Sequence, residues 1–378
     1  MSDTEAGHVS VLGAMDPRET KLNFLLLALP VTCYFAYVAD DSTGAFFASM
    51  VAIMPLAFLM GRATEEIALY TSESLGGLLN ATFGNAAEMI IAFLAIYAAY
   101  KAGIGTETAD MMVHLVQASL IGSILGNLLL VMGLAFVWGG IHFDEQEFSS
   151  AQVSSNSSLL ILAVVVLIVP SAFHTAVGED GGTGVANLSH IAALILLGLY
   201  GLFLYFQFRT HAHLFVTEGQ HHESPEMSKR DAVILLVVAT ILVSWMAEVL
   251  VHSVEAAADD VGLPHLFIGV ILLPLFGNAA EHFTAVAVAG KNKMDLSFAI
   301  AVGSSTQIAV FVAPLMVVIA WLLGVPLTFE FGMLETAAVF CAVILANLIA
   351  ADGKSNWLEG AMLLGAYAIL GAAFLFHP

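Results

Sequence analysis

The sequence has little charge. Asp, Glu, Lys and Arg make up only 11% of its 378 residues, whereas 59% are hydrophobic and the mean hydropathy is +0.91. A soluble protein of this length needs far more charge to cover its surface. The composition therefore excludes a large soluble helical protein and indicates a polytopic membrane protein that has the lipid bilayer as its partner.

Positive charge is especially scarce. Ten Lys and Arg residues face 31 Asp and Glu residues, which gives a formal net charge of −21. A chain this acidic repels nucleic acid, so we expect no nucleic-acid partner. Acidic loops either attract cations or are merely solvated, and the sequence leaves both interpretations open.

Cysteine and targeting signals are also nearly absent. Cys33 and Cys341 both lie in apolar runs, which excludes a disulfide framework and a cysteine-based metal site. The first twenty residues lack the basic start and short apolar core of a cleaved signal peptide, so we expect the first hydrophobic segment to be retained. The absence of a long N-terminal extension favours a prokaryotic plasma membrane over an organelle.

Long hydrophobic runs are abundant. Stretches near the length of a bilayer crossing, about 20 residues, recur between polar or Gly/Pro-marked breaks. We predict an all-α protein with about eleven transmembrane helices. They lie near residues 21–38, 45–66, 75–99, 111–138, 157–173, 186–208, 232–254, 265–289, 296–323, 331–350 and 357–376.

The basic residues predict an orientation. With eleven crossings, every Lys and Arg except Lys101 falls on one side of the membrane. Since cytoplasmic loops hold the excess of Lys and Arg, the N-terminus is expected inside and the C-terminus outside.

An internal repeat divides the chain. Residues 84–88 and 277–281 both read Gly-Asn-Ala-Ala-Glu, and each following segment has a Gly-Ser pair, at 122–123 and at 303–304. Five segments per repeat is an odd number, so the copies insert with opposite orientation, as in secondary transporters. We predict a polar tail (1–20), a leading helix (21–40), a first inverted repeat (44–208), a cytoplasmic linker (209–230) and a second inverted repeat (231–378).

The two motif carboxylates are the main candidate site. Glu88 and Glu281 lie near the middle of antiparallel segments, so they can meet at mid-membrane. Asn85 and Asn278 precede them by three residues, which places amide and carboxylate on one helical face. Such oxygen ligands suit a hard cation such as Ca2+. Glycines before each Asn, with Pro274, allow a helix break that frees backbone carbonyls as further ligands.

Protons compete for the same carboxylates. Burial and a second acid nearby both favour the protonated form, and one divalent cation or two protons neutralise the pair equally. A doubly negative empty site is costly to move across the bilayer, which makes exchange obligatory. His282, beside Glu281, is a candidate proton shuttle, although adjacent residues point about 100° apart around a helix. The alternative is that the acids only lock helix packing through hydrogen bonds.

A second tier of polar residues follows each motif. Asn127 and Gln307 lie in matching segments and are candidate ligands or supports for the carboxylates, or form ordinary interhelical hydrogen bonds. Ser123 and Ser304 are assigned to packing, because small residues let helices approach closely.

Two further acidic residues and the linker have candidate roles at the membrane surfaces. Glu65 falls near the cytoplasmic end of the second segment and Glu248 toward the outer end of the seventh, where they are candidate cation-attracting vestibules. The linker is either a regulatory metal or proton sensor or simply a solvated connection. Its ionisable residues include His211, His213, His221, His222, Glu218, Glu223 and Glu226.

Four stretches resemble a known family. They are Gly-Gly-Leu-Leu-Asn-Ala-Thr-Phe-Gly-Asn-Ala-Ala-Glu (76–88), Gln-Ala-Ser-Leu-Ile-Gly-Ser-Ile-Leu (117–125), Gly-Asn-Ala-Ala-Glu-His (277–282) and Gly-Ser-Ser-Thr-Gln (303–307). With them, nearly the whole chain from Ala63 onward resembles the cation/proton exchangers, the Ca2+/H+ antiporters of the calcium/cation antiporter superfamily.

The resemblance implies a leading helix and two inverted five-helix repeats. It also implies that Glu88 and Glu281 alternately bind Ca2+ and protons, that cytosolic Ca2+ is extruded by the proton gradient, and that no cofactor is needed. Family members typically have an acidic helix in the linker, whereas residues 210–228 here have His and scattered Glu.

Three rival functions remain to be separated. A sodium/calcium exchanger of the same superfamily would depend on sodium rather than on pH. A cation channel with a Glu-lined pore would conduct without a counter-gradient. An intramembrane metalloenzyme is disfavoured, because no His-Glu-x-x-His or Gly-x-Ser-x-Gly motif is present, so we predict that the chain is not an enzyme. The sequence leaves the oligomeric state open, including a homo-oligomer.

Overall fold

The computed structural model describes residues 9–71, 73–148, 150–178, 182–211 and 224–377. These residues are helical almost throughout, apart from a two-stranded antiparallel ribbon formed by β1 (Gln146–Glu147) and β2 (Lys354–Ser355). One turn of helix, Val11–Ala14, precedes the main helices. They are α1 Lys21–Ala39, α2 Ser42–Leu69, α3 Glu73–Phe83, α4 Ala86–Ala102, α5 Glu107–His142, α6 Ser150–Val177, α7 Gly182–Thr210, α8 Lys229–Val261, α9 His265–Gly277, α10 Ala279–Ala289, α11 Met294–Leu323, α12 Met333–Ile349 and α13 Trp357–Leu375.

Most of these helices are long enough to cross a membrane. Among the described residues, eight helices are sufficiently long and apolar, and nine spans result if the bent pair α9 and α10 counts as one. The other two predicted crossings coincide with the 17-residue α12 and with α3 plus α4, which are separated by Gly84 and Asn85. The predicted all-α membrane fold is confirmed, whereas the number eleven stays a prediction.

Local sequence explains where several helices begin. Asp41, Thr106 and Ser228 each precede a helix and accept a hydrogen bond from a backbone N–H of its first turn, at 2.9, 3.2 and 3.1 Å. Asn356 caps α13 in the same way, and the Asn356 backbone N–H donates a hydrogen bond to the Glu359 carboxylate. These caps satisfy N–H groups that have no partner within the helix.

The helices of the two halves contact one another in matching pairs. α2 packs along α8, and α6 packs against α12. α4 contacts α8 while α10 contacts α2, α5 contacts α10 while α11 contacts α4, and α5 contacts α13 while α11 contacts α7. Exchanging each helix of one half for its counterpart leaves these pairs unchanged. This is the pattern expected of two repeats related by a twofold axis, although the repeat boundaries themselves remain a prediction.

Burial distinguishes central from peripheral helices. In the most apolar stretch of α5, 83% of the residues are buried, against 11% in α1. In a bilayer, apolar residues exposed on the outer helices face lipid rather than water. α5 therefore lies at the centre of the molecule, where it contacts both halves.

Polar contacts between loops agree with the predicted two faces. On the predicted outer side, Thr43 Oγ1 donates to Asp260 at 2.8 Å. On the predicted cytoplasmic side, Arg62 pairs with Glu226 at 3.1 Å and Lys354 with Glu145 at 2.6 Å. The hydrogen bond and charge of Glu145 raise the pKa of the exposed Lys354 ammonium. Each pair joins segments that eleven alternating crossings would place on the same side.

Candidate functional site

The first motif lies at a helix break. α3 ends at Phe83 and α4 begins at Ala86, with Gly84 and Asn85 between them. Asn85 has φ −99° and ψ 22°, outside the helical range, and Glu88 follows in the first turn of α4. The N-terminal end of a helix carries a partial positive charge, which stabilises the ionised Glu88 carboxylate there.

The second motif repeats this geometry. α9 and α10 meet at Asn278 with a bend of 58°, and Asn278 has φ −93° and ψ 8°. Glu281 lies in the first turn of α10. The expected break is therefore present, whereas the stacking of Asn and Glu on one helical face stays a prediction. Each Asn directly precedes its helix, and its dihedral angles lie outside the helical range.

Each motif asparagine is hydrogen-bonded by the opposite half. Asn85 Nδ2 donates to Gln307 Oε1 on α11 at 2.7 Å. Asn278 Nδ2 donates to Ser123 Oγ on α5 at 3.1 Å. The Ser304 side chain lies beside the Glu281 carboxylate. The assignment of Ser123 to packing is therefore incomplete, because its hydroxyl accepts the Asn278 amide, whereas the assignment of Ser304 stays a prediction.

These contacts leave buried oxygens unpaired. Asn85 Oδ1, Asn278 Oδ1 and Glu281 Oε2 are buried, and none of them accepts a hydrogen bond from the described residues. Asn85 is fully buried and Asn278 is 2% exposed. A buried acceptor without a donor is unfavourable, whereas a cation or an ordered water satisfies it. Carboxylate and amide oxygens together form the donor set that Ca2+ prefers.

Histidine and cysteine contribute little to this donor set. Within the described residues, no three or more His, Cys, Asp and Glu side chains are grouped as a metal site. A cation held between the two motifs would therefore take amide or carbonyl oxygens in addition to the two carboxylates.

Glu88 faces the second motif across a small cavity. The cavity has a volume of about 10 Å³, roughly enough for one water. Its lining includes Glu88, Ser119 and Ser123 from the first half and Pro274 and Gly277 from the second. The Glu88 and Glu281 carboxylates are close enough to repel each other. The structure thus brings residues of the two halves together around Glu88.

The second-tier residues occupy irregular turns. Asn127 lies in a π-helical turn of α5, Gly126–Val131. Gln307 immediately precedes a π-helical turn of α11, Ile308–Val312. Such turns are frequent at functional sites. Asn127 is fully buried, and neither atom of its amide group is hydrogen-bonded to a described residue. Its turn packs against α10 and α11.

His282 is the main difference between the motifs. It is 8% exposed, and its Nε2 has no hydrogen-bond partner in the described part of the chain. The counterpart in the first motif is the half-buried Met89. An imidazole thus lies beside one carboxylate and a thioether beside the other.

The predicted vestibule residues lie away from the motif breaks. Glu65 and Glu248 are both exposed, Glu65 near the C-terminal end of α2 and Glu248 within α8. The neighbouring Glu66 is buried, and its carboxylate accepts the backbone N–H groups of Glu226 and Met227 at 3.3 and 3.1 Å. Of the linker histidines, His211 is described, whereas His213, His221 and His222 lie outside the described residues.

A second cavity was missed by the sequence analysis. It has a volume of about 400 Å³ on the predicted outer side, and Asp110, His114, Glu330 and Glu335 line it. His174 Nδ1 lies 2.6 Å from Glu330 Oε1 at this side. Asp110 and His114 are one turn apart on α5, which was the only signal in the sequence. The acidic lining gives this cavity a field that attracts cations.

The chain is similar to proteins of a known transporter family. Residues 41–209 and 232–376 match the sodium/calcium exchanger protein family. The Ca2+/H+ antiporter of Aphanothece halophytica is 44% identical over 369 residues, covering 94% of this chain and 96% of that protein. The Ca2+/H+ antiporter of Synechocystis sp. is 43% identical over 376 residues, covering 94% and 98%. The solved structure of native YfkE superposes with a TM-score of 0.80 at 39% identity, covering 94% of this chain and all of the other.

Proposed function

Because this chain belongs to the sodium/calcium exchanger protein family and, within it, to the Ca2+/H+ antiporters, we propose that it exchanges Ca2+ for H+ across a membrane. Glu88 and Glu281 are the shared ligands for Ca2+ and protons, and Asn85 and Asn278 assist. The observation that carries the proposal is the set of buried, unpaired oxygens on Asn85, Asn278 and Glu281.

The coupling of Ca2+ transport to proton transport follows from the charge of the two carboxylates. Two ionised carboxylates bind one Ca2+ and become neutral, and two protons achieve the same neutrality. Either filled state passes through a low-dielectric interior more easily than the empty dianion. Exchange is therefore obligatory, and the two halves alternate in opening toward each side.

Further residues support this site. Asn127 and Gln307 form a second tier, His282 assists proton transfer, and Glu65 and Glu248 attract cations at the two entrances. We propose no enzymatic reaction and no resident cofactor, since Ca2+ and H+ are cargo.

The direction of transport depends on the membrane and on the orientation. The chain is an integral membrane protein. We place it in a prokaryotic plasma membrane, with the N-terminus in the cytoplasm, where the excess of Lys and Arg lies. An inward proton gradient then drives Ca2+ out of the cell.

The family match itself supplies the second candidate, a sodium/calcium exchanger. The decisive experiment is uptake of radiolabelled Ca2+ into proteoliposomes under an imposed pH gradient, without sodium. The proposal expects uptake that collapses with a protonophore. Uptake that ignores pH and requires sodium would establish the second candidate instead, and flux without any counter-gradient would indicate a channel.

A further inference from the structure

We propose that Gln307 and Ser123 are positioning residues, each of which orients the motif asparagine of the opposite half so that its carbonyl oxygen faces the transported cation. This deepens the proposed function and rests on it. An Asn side chain can present either an oxygen or an NH2 group. A cation site therefore needs something to fix which of the two faces the ion.

Both amides are fixed through their nitrogen. The Asn85 Nδ2 to Gln307 Oε1 bond is 2.7 Å long, and the Asn278 Nδ2 to Ser123 Oγ bond is 3.1 Å. Since each nitrogen is engaged, the oxygen on the other side of each amide is the atom left unpaired. Gln307 thus acts on Asn85, because its carbonyl oxygen accepts the Asn85 amide and fixes the orientation of that amide.

The same two helices reach both motifs. α11 carries Ser304, which lies beside Glu281 of its own half, and three residues later Gln307, which holds Asn85 of the other half. α5 carries Ser123, which lines the Glu88 cavity of its own half and holds Asn278 of the other. Residues three apart share a helical face, so one face of α11 serves both motifs.

Because these two hydrogen bonds join the two halves, the orientation of each Asn amide depends on how the halves are placed relative to each other. The partners are 222 and 155 residues apart in the sequence and belong to different repeats. In alternating access the repeats move against each other. A motion that lengthens either bond releases the amide and weakens the hold on the cation. Asn127, whose amide has no hydrogen-bond partner among the described residues, lacks this restraint.

The test is calcium binding to the purified full-length protein, measured by titration calorimetry at one pH without sodium. Gln307→Met and Ser123→Ala each remove an acceptor, and each should weaken Ca2+ binding roughly tenfold. Ser123→Thr keeps the hydroxyl and should bind within about threefold of the unaltered protein.

Double-mutant cycles separate positioning from a direct or merely structural role. In an Asn85→Ala background, Gln307→Met should cause no further loss of affinity, because the residue it orients is gone. In an Asn278→Ala background, Gln307→Met should weaken Ca2+ binding by the same factor as it does alone. The Ser123→Ala cycles should show the reverse. If each change lowers Ca2+ affinity by the same factor in both backgrounds, the proposal is overturned.

Two controls keep the outcomes distinguishable. The midpoint of thermal unfolding without Ca2+ reports folding, and if Gln307→Met does not fold, the Ser123 cycles decide the question. Glu88→Gln and Glu281→Gln test the proposed function separately. If both bind Ca2+ normally, the proposed function fails. If both lose binding while the cycles multiply, only the positioning role fails.

Discussion

At the first motif the asparagine amide is held by another amide, that of Gln307, and at the second by a hydroxyl, that of Ser123. The backbones nevertheless break at the same residue with similar dihedral angles, and both carboxylates lie in a first helical turn. The carboxylates and the breaks are thus kept the same in both copies, whereas their surroundings differ. A site formed jointly by both halves requires the features that the two copies share, which are the carboxylate and the helix break.

The strongest test of this equivalence removes one charge at a time. Glu88→Gln and Glu281→Gln should each lower Ca2+ transport by roughly 100-fold or more, because a divalent cation held by two carboxylates then loses half of the negative charge that neutralises it. Radiolabelled uptake into proteoliposomes measures this, with Glu147→Gln as control, since the Glu147 side chain is 80% exposed on the β1–β2 ribbon. Normal transport by either variant would show that Glu88 and Glu281 do not have equivalent roles.

A glycine pair probes the packing around the motifs. A Cβ at Gly122 would lie 2.1 Å from the Val270 carbonyl oxygen, whereas a Cβ at its counterpart Gly303 meets nothing within 4 Å. Gly122→Ala should therefore destabilise the protein by about 1–3 kcal/mol through overpacking. Gly303→Ala should not lower the midpoint of thermal unfolding. Equal effects would show that α5 and α11 pack alike in this region.

Sequence reasoning was effective where hydropathy and repetition carry the information. The helices coincide with the predicted apolar segments, and the glycine before each Asn marked a possible break. It failed where contacts join distant residues. Nothing in the sequence distinguishes Ser123 as an acceptor for Asn278 from a small packing residue, because the partners are 155 residues apart. Likewise, Glu65 and Glu66 are adjacent acids, and only the fold buries one of them.

The acids of α2 and α8 offer a third contrast. Glu66 is buried and accepts two backbone N–H groups at the end of the linker, whereas Glu248 is exposed. Glu66→Ala should destabilise the protein by about 1–3 kcal/mol, because it leaves buried donors unpaired. Glu248→Ala should change stability by less than about 0.5 kcal/mol. Chemical or thermal unfolding in detergent compares them, and an unaffected Glu66→Ala would mean that the linker end is held by other contacts.

The smallest expected effect concerns the residue after each Glu. His282→Met places in the second motif the residue that the first already has. Transport should slow by about threefold while Ca2+ affinity stays unchanged, because the imidazole assists without binding the cation. Initial uptake rates and the half-saturating Ca2+ concentration separate the two quantities. A large loss of affinity would make His282 a ligand and the two motifs chemically distinct.

Equilibrium binding of radiolabelled Ca2+ to the purified protein, followed from alkaline to acidic pH without sodium, tests the central claim most directly. If Glu88 and Glu281 jointly hold either Ca2+ or protons, a single Ca2+ should bind per chain, affinity should fall as pH falls, and Glu88→Gln and Glu281→Gln should each abolish binding. Binding that is independent of pH, or that survives in either variant, would contradict a shared site.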